Sequence, residues 1–248
     1  MMLLRAIPVI VACAAVALVS SGCETTAEKS ARIGKELGPV KAETGLRISA
    51  PSKDVKVVSA TVLSSAEGAA VVVEVRNSSG RALADVPILI DVRDAKGKSV
   101  YRNDIPGLET ALTAIPYVPA RGTAVWVNDQ VLAAGRPADV EVTVGAGGTA
   151  VEAPLPKFTA TAPKLEGDPH SGIVAGGNVE NRSGERNERL LIYAVARRGD
   201  EVLAAGRGAI ERVKPEPKPL PYNVYFIGDP RGAEVQIALF PTIPGVGE

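Results

Sequence analysis

The stretch Val71-Val72-Val73-Glu74-Val75-Arg76-Asn77-Ser78-Ser79-Gly80 holds a strand and the turn that ends it. Val71, Val73 and Val75 alternate with Val72, Glu74 and Arg76, the period of a strand with one buried face. Asn77-Ser78-Ser79-Gly80 then breaks the strand, since Asn bonds its own backbone and Gly takes positive φ at no steric cost. Ile88-Leu89-Ile90-Asp91-Val92 reads as a further strand, closed by the four-residue hairpin loop Asp94-Ala95-Lys96-Gly97. The pattern returns as Val179-Glu180-Asn181-Arg182-Ser183-Gly184, followed by Leu190-Leu191-Ile192-Tyr193-Ala194 and Gly199. Asn77 and Asn181 lie 104 positions apart, as do Gly80 and Gly184. Near the ends of the repeats, Ala138-Asp139-Val140-Glu141-Val142 is answered by Ala233-Glu234-Val235-Gln236-Ile237. A unit of about 100 residues therefore occurs twice, and so long a period marks a duplicated domain rather than a solenoid.

Strands are expected in the first unit at 55–63, 69–76, 87–93, 98–102, 123–128 and 139–144, and the second unit opens with 157–165 and continues with strands at 173–181, 189–197, 201–207, 222–227 and 233–239. Six short segments per unit come close to the seven or so strands of an immunoglobulin-like sandwich. The expectation is an all-β chain of two tandem immunoglobulin-like β-sandwiches. Pro215, Pro217, Pro219 and Pro221 alternate with other residues, which no central strand tolerates, so this run is expected as an extended loop at the domain edge, in the place taken in the first unit by a longer segment with Pro106, Gly107, Pro116 and Pro119. Gly176 and Gly177 thin the strand at 173–181 and suggest a bulge.

The N-terminus carries a different signal. Arg5 precedes an apolar run at 6–19, too short to span a bilayer and shaped like the core of a signal peptide. The run ends in Val19-Ser20-Ser21-Gly22-Cys23, which resembles the bacterial lipobox. In that family the signal is cut before the Cys, and the Cys sulfur takes a diacylglyceryl group. Ser21 and Gly22 match the pattern, and Ser20 stands where Leu is usual. Two acyl chains are what a stable anchor requires. The alternative is an ordinary secretory signal, cut after a site such as Ala15-Val16-Ala17.

The resulting organisation is a signal peptide at 1–22, a lipidated Cys23 with a flexible tether at 23–54, one sandwich at 55–146, a linker at 147–156, a second sandwich at 157–243 and a tail at 244–248. The two sandwiches are expected to fold separately. The formal charge is zero, and removal of the first 23 residues leaves 27 basic and 28 acidic residues. This is not the basic footprint of a nucleic-acid binder. The two cysteines, Cys13 and Cys23, both precede the repeats, so the repeats contain no disulfide and no thiolate metal site.

The frame Val-x-Asn-x-Ser-Gly, then a strand ending in Asp94-x-x-Gly97, then a late aromatic strand, resembles the FxLYD-like β-sandwich domains of bacterial lipoproteins, including paired-domain lipoproteins of actinobacteria. Where that family has Phe-x-Leu-Tyr-Asp, this chain has Ile90-Asp91-Val92-Arg93-Asp94, and the second unit has Ile192-Tyr193-Ala194-Val195-Ala196 followed by Arg197. The resemblance implies a fold and an extracytoplasmic location, lipid-anchored in the cell membrane. It implies no catalytic residues.

Candidate chemistry is sparse. His170 is the single histidine and sits in an expected loop, with no second His or Cys for a metal site or a nucleophile pair. Gly145 to Ala150 has dinucleotide-fingerprint spacing, but Pro154 and Pro156 bar the helix that such a site needs, leaving a linker. Asn128-Asp129 and Gly228-Asp229 end corresponding strands, and with Asp91, Asp94 and Asp104 they could gather at a sandwich end around calcium, although turn formation accounts for them. Asn77 and Asn181 stand in N-glycosylation patterns whose equivalent placement argues for a shared turn. Trp126, Tyr117, Tyr222 and Tyr225, with Phe226, fall in or beside the late strand of each unit. Core packing is the expected role of these aromatics in units built otherwise on Val, Leu and Ala, and an exposed row of them would instead be a binding surface for an envelope protein or glycan. No catalytic residue, cofactor or metal is expected. The expected function is a membrane-anchored, non-enzymatic binding or envelope-scaffolding module. The alternative is an envelope hydrolase or metal-dependent enzyme working through carboxylates.

Overall fold

A computed structural model describes residues 44–168, 172–215 and 218–246. The first repeat comprises β1 (Val55–Ser65), β2 (Gly68–Asn77), β3 (Ala82–Arg93), β4 (Ser99–Arg102), the single helical turn α1 (Thr110–Thr113), β5 (Ala114–Val118), β6 (Thr123–Asn128), β7 (Asp139–Val144) and β8 (Thr149–Val151). One antiparallel sheet runs β1-β2-β6. The other is built on the long β3, whose first half lies between β5 and β8 and whose second half lies between β4 and β7. The second repeat comprises β9 (Phe158–Ala160), β10 (Lys164–Asp168), β11 (Gly172–Asn181), β12 (Asn187–Arg198), β13 (Glu201–Val213), β14 (Leu220–Tyr225), β15 (Ile227–Gly228) and β16 (Glu234–Pro241). Here β9 and β10 share one side of β11, with β14 on the other, and the second sheet runs β15-β13-β12-β16. The described chain is thus nearly all β and wholly antiparallel, as the alternating pattern requires.

The turn shared by the repeats explains why they begin alike. Asn77 is fully buried; its Oδ1 accepts from the Ser79 backbone N–H and hydroxyl, and its Nδ2 donates to the carbonyls of Arg81 and Pro119. Asn181 does the same with Ser183, Glu185 and Val213. Each amide pins the strand end to the next strand and to a distant segment, so neither Asn offers a free acceptor for a glycan. The glycines of the two turns differ: Gly184 has φ +80, whereas Gly80 is not left-handed.

Several expectations need correction. The segment read as a linker contains β8, whose Thr149, Ala150 and Val151 pair with Ala84, Leu83 and Ala82. The proline-bearing 106–119 segment contains α1 and β5, the latter tolerating Pro116 because β5 pairs only with β3. The last residues of the expected flexible tether are held. The Ser52 N–H donates to the Val144 carbonyl at 2.8 Å and Ala146 N–H to the Ala50 carbonyl at 2.7 Å. Most of the tether lies outside the described residues. No bulge occurs at Gly176 and Gly177; the β11–β14 register runs through them without a shift. The glycines make room instead, since a Cβ on Gly177 would sit 2.6 Å from the Tyr222 ring.

The largest departure from expectation lies in β2. Val71, Val73 and Val75 are buried, but so are Ala70 and Val72 on the opposite face. That second face is covered by the other repeat. Glu74, in phase with Val72, meets Arg197 of β12. On β12 the two phases serve two cores: Leu190, Ile192, Ala194 and Ala196 pack within the second repeat, whereas Tyr193 and Val195 join the buried cluster of the first. Val202, Ala205 and Phe240 of the second repeat join that same cluster. The β13-β12-β16 sheet therefore has apolar side chains on both faces, one against its own partner sheet and one against β1-β2-β6.

Candidate functional site

Among the described residues, the seam between the repeats gathers a group of partly buried charges. α1 is the first element that positions it. Trp126 on β6 has no exposed surface, and its Nε1–H donates to the Ala111 carbonyl at 2.9 Å. Asn103, also fully buried, donates to the carbonyls of Leu112 and Ile88 and accepts from the Ile90 N–H. These bonds fasten the helical turn to the sheet and set Glu109, the residue before it, at the seam. Asn128 holds the second element: its Oδ1 accepts from the Gln130 N–H, fixing the turn that carries Asp129.

The second repeat supplies the cations. Arg207 on β13, its side chain 7% exposed, lies 3.3 Å from Asp129 Oδ1 and 3.1 Å from Glu109 Oε2. The Asp129 Oδ2 also accepts the Arg207 backbone N–H at 3.1 Å. Arg189 on β12 pairs with Glu109 as well. Its Nε lies 3.1 Å from Glu211 but lacks hydrogen-bond geometry, so that contact is Coulombic only. Burial raises the Asp129 carboxyl above its ordinary value, outweighing the opposing pull of Arg207. Beside this network lies the Tyr193 hydroxyl, buried without a hydrogen-bond partner and pushed well up in pKa by that burial. The Tyr193 ring packs on Phe240, centroids 4.9 Å apart.

Next to the network opens a cleft of about 360 Å³. The first repeat lines it with Asp85, Glu109, Thr110 and Pro116, among others, and the second with Arg189, Leu191, Phe240, Thr242 and Ile243. Apolar walls with a few converging polar groups, at the meeting of two domains, are the usual make-up of a ligand site. Asp85 is distinctive there. It interrupts β3 with φ +50, a left-handed conformation that Asp tolerates better than most residues but that remains uncommon outside glycine. It stands opposite Pro116 of β5, which has no N–H to give to the ladder. Partial burial raises its carboxyl above the ordinary value.

The residues singled out in the sequence are scattered by the fold. Trp126 and Tyr222 are buried and cannot belong to a binding surface; Phe226 is buried with them. Tyr117 is half-buried and lines a second opening at the seam, beside Glu74 and Arg197. Tyr225 is 67% exposed and lines a third, beside Asp129. No continuous aromatic row results. Asp94 caps its hairpin by accepting the Lys96 and Lys98 N–H groups. Asp91 and Asp104 share Arg102, and Asp229 is held by Arg231. Among the described residues no group of three or more His, Cys, Asp or Glu is placed to hold a metal ion. His170 and Cys23 lie outside the described residues. Asp85, Glu109, Arg189 and Arg207 had no motif to mark them; the available signal was the apolar phase of β12, Leu191-x-Tyr193-x-Val195, bracketed by Arg189 and Arg197.

No family model, curated protein or solved structure matches this chain.

Proposed function

We propose that the chain is a lipid-anchored, extracytoplasmic module of the cell envelope, attached to the membrane through Cys23, which binds or scaffolds a partner and performs no catalysis itself. The observation that carries this reading is the seam. Two repeats are welded face to face by a shared apolar cluster and by the Arg207–Asp129–Glu109–Arg189 network, and the weld leaves a walled cleft open to one side. A rigid pair of sandwiches presents such a cleft with little ordering cost on binding. Cys23→Ala should move the protein from the membrane fraction to the soluble one or halt its processing; unchanged fractionation and mass would refute the anchor.

A second reading has one observation in its favour: Asp85 and Glu109 line the same cleft, as a carboxylate-only hydrolase would need. Against it, Glu109 is already held by two guanidinium groups. The two readings separate in a screen of ester, peptide, glycan and phosphate substrates with the soluble 24–248 form. No turnover is expected, and turnover lost in a folded Asp85→Asn variant would establish the hydrolase.

A further inference from the structure

We infer that the seam cleft receives a basic side chain, lysine or arginine, of a polypeptide partner, its charged end meeting Asp85 and its stem lying along Pro116, Leu191 and Phe240. This rests on the binding-module reading above and names the chemistry of its partner.

The charges of the cleft decide the sign of its occupant. Arg189 is already neutralised by Glu109 and Glu211, and Glu109 is further engaged by Arg207. Of the charged side chains that line the cleft, the Asp85 carboxylate alone has neither a hydrogen bond nor an ion pair among the described residues. A half-buried carboxylate without a partner is costly, and a group held in an unfavourable backbone conformation persists only where its surroundings enforce it. Ala84 and Val86, on either side of Asp85, are both fully buried and paired to β5, so the strand fixes where the carboxylate stands. The walls are aliphatic, aromatic and proline surface. Lysine and arginine place a positive end on an apolar stem, which matches a lone carboxylate set in such walls.

The test is a titration of the soluble 24–248 protein, followed by backbone amide shifts at Leu191, Thr242 and Ile243. The probes are the peptide acetyl-Leu-Lys-Leu-amide, the same peptide with norleucine for lysine, the same with glutamate, and n-hexylammonium. The lysine peptide should shift these amides, and the norleucine peptide should bind about tenfold more weakly or worse. Asp85→Asn should abolish the difference between the two. Asp85→Gly, which suits the left-handed backbone, should do the same, so loss of fold in one variant cannot hide the answer. Equal binding of the norleucine or glutamate peptide, no binding of the lysine peptide, or full retention in a folded Asp85 variant would overturn the proposal. n-Hexylammonium binding as tightly as the peptide would overturn the polypeptide source. None of these results bears on the anchor, which Cys23→Ala tests separately.

Discussion

Glu74 of β2 and Arg197 of β12 meet at 3.3 Å, carboxylate to guanidinium, across 123 residues of sequence and across the seam of the two repeats. Arg197 belongs to the same phase of β12 as Arg189, Leu191, Tyr193 and Val195. The face of one repeat that meets the other is therefore an apolar band closed at each end by an arginine, and each arginine finds a first-repeat carboxylate. The seam is specified by these ends as well as filled by its middle.

A double-mutant cycle on Glu74→Gln and Arg197→Met should accordingly give a coupling of about 1 kcal/mol, since both side chains are only partly shielded. Thermal and denaturant melts of the four proteins measure it. Zero coupling would make the contact incidental.

Arg207 should matter more. Its side chain is almost wholly buried and holds two carboxylates, so Arg207→Met should cost about 3 kcal/mol by leaving Asp129 and Glu109 without it. Asp129→Asn should behave differently with pH. The folded carboxyl sits above its ordinary value of 3.8, so the stability it contributes is complete below 3.8 and is lost as pH rises through the folded value. The Asn variant should therefore gain on the wild type as pH climbs through that window. Parallel melting curves for the two proteins across it would contradict the burial of Asp129.

Gly177→Ala should destabilise by about 1–3 kcal/mol, because the new methyl overlaps the Tyr222 ring, which is hemmed in and bonded through its hydroxyl to the Thr161 carbonyl. Gly80→Ala, with open space around it and no left-handed φ, should stay within about 0.5 kcal/mol of wild type. Equal effects at the two sites would mean that Tyr222 does not rest on β11.

Much of this architecture was legible locally. The strands at 123–128 and 139–144 stand where alternation placed them, and the Asn turns recur as their shared spacing implied. What local pattern could not show was the seam. Reading Val71, Val73 and Val75 as the buried face treats Val72 as its opposite, yet Ala69 to Val73 and Leu190 to Ala196 are apolar in both phases, the mark of a strand covered on both sides. Periodicity tells how many faces are covered, not what covers them. The cleft was hidden for a related reason: Asp85, Glu109 and Arg189 come from distant segments and acquire meaning only when two repeats close on each other. Trp126 and Tyr222 fill the core, as expected of aromatic residues in a Val- and Ala-rich chain, and the alternative of an exposed aromatic row fails at both.

The two halves each keep an inner cluster, so residues 44–153 and 154–248 should each melt cooperatively alone. Each should be less stable than the whole, since parting them exposes Val72, Tyr193 and Val195 at about 1.5–3 kcal/mol per side chain. Halves as stable apart as together would leave the seam without energetic weight.

Site-specific photo-crosslinking in intact cells decides whether the proposed anchored module holds a partner in its seam cleft. A photoreactive residue is placed at Thr110, exposed on the rim of the cleft, or at Leu132, 86% exposed and outside it. The expected result is one discrete adduct from Thr110 that vanishes in the Asp85→Asn background, with none from Leu132. Equal adducts from both positions, or an adduct at Thr110 indifferent to Asp85, would contradict it.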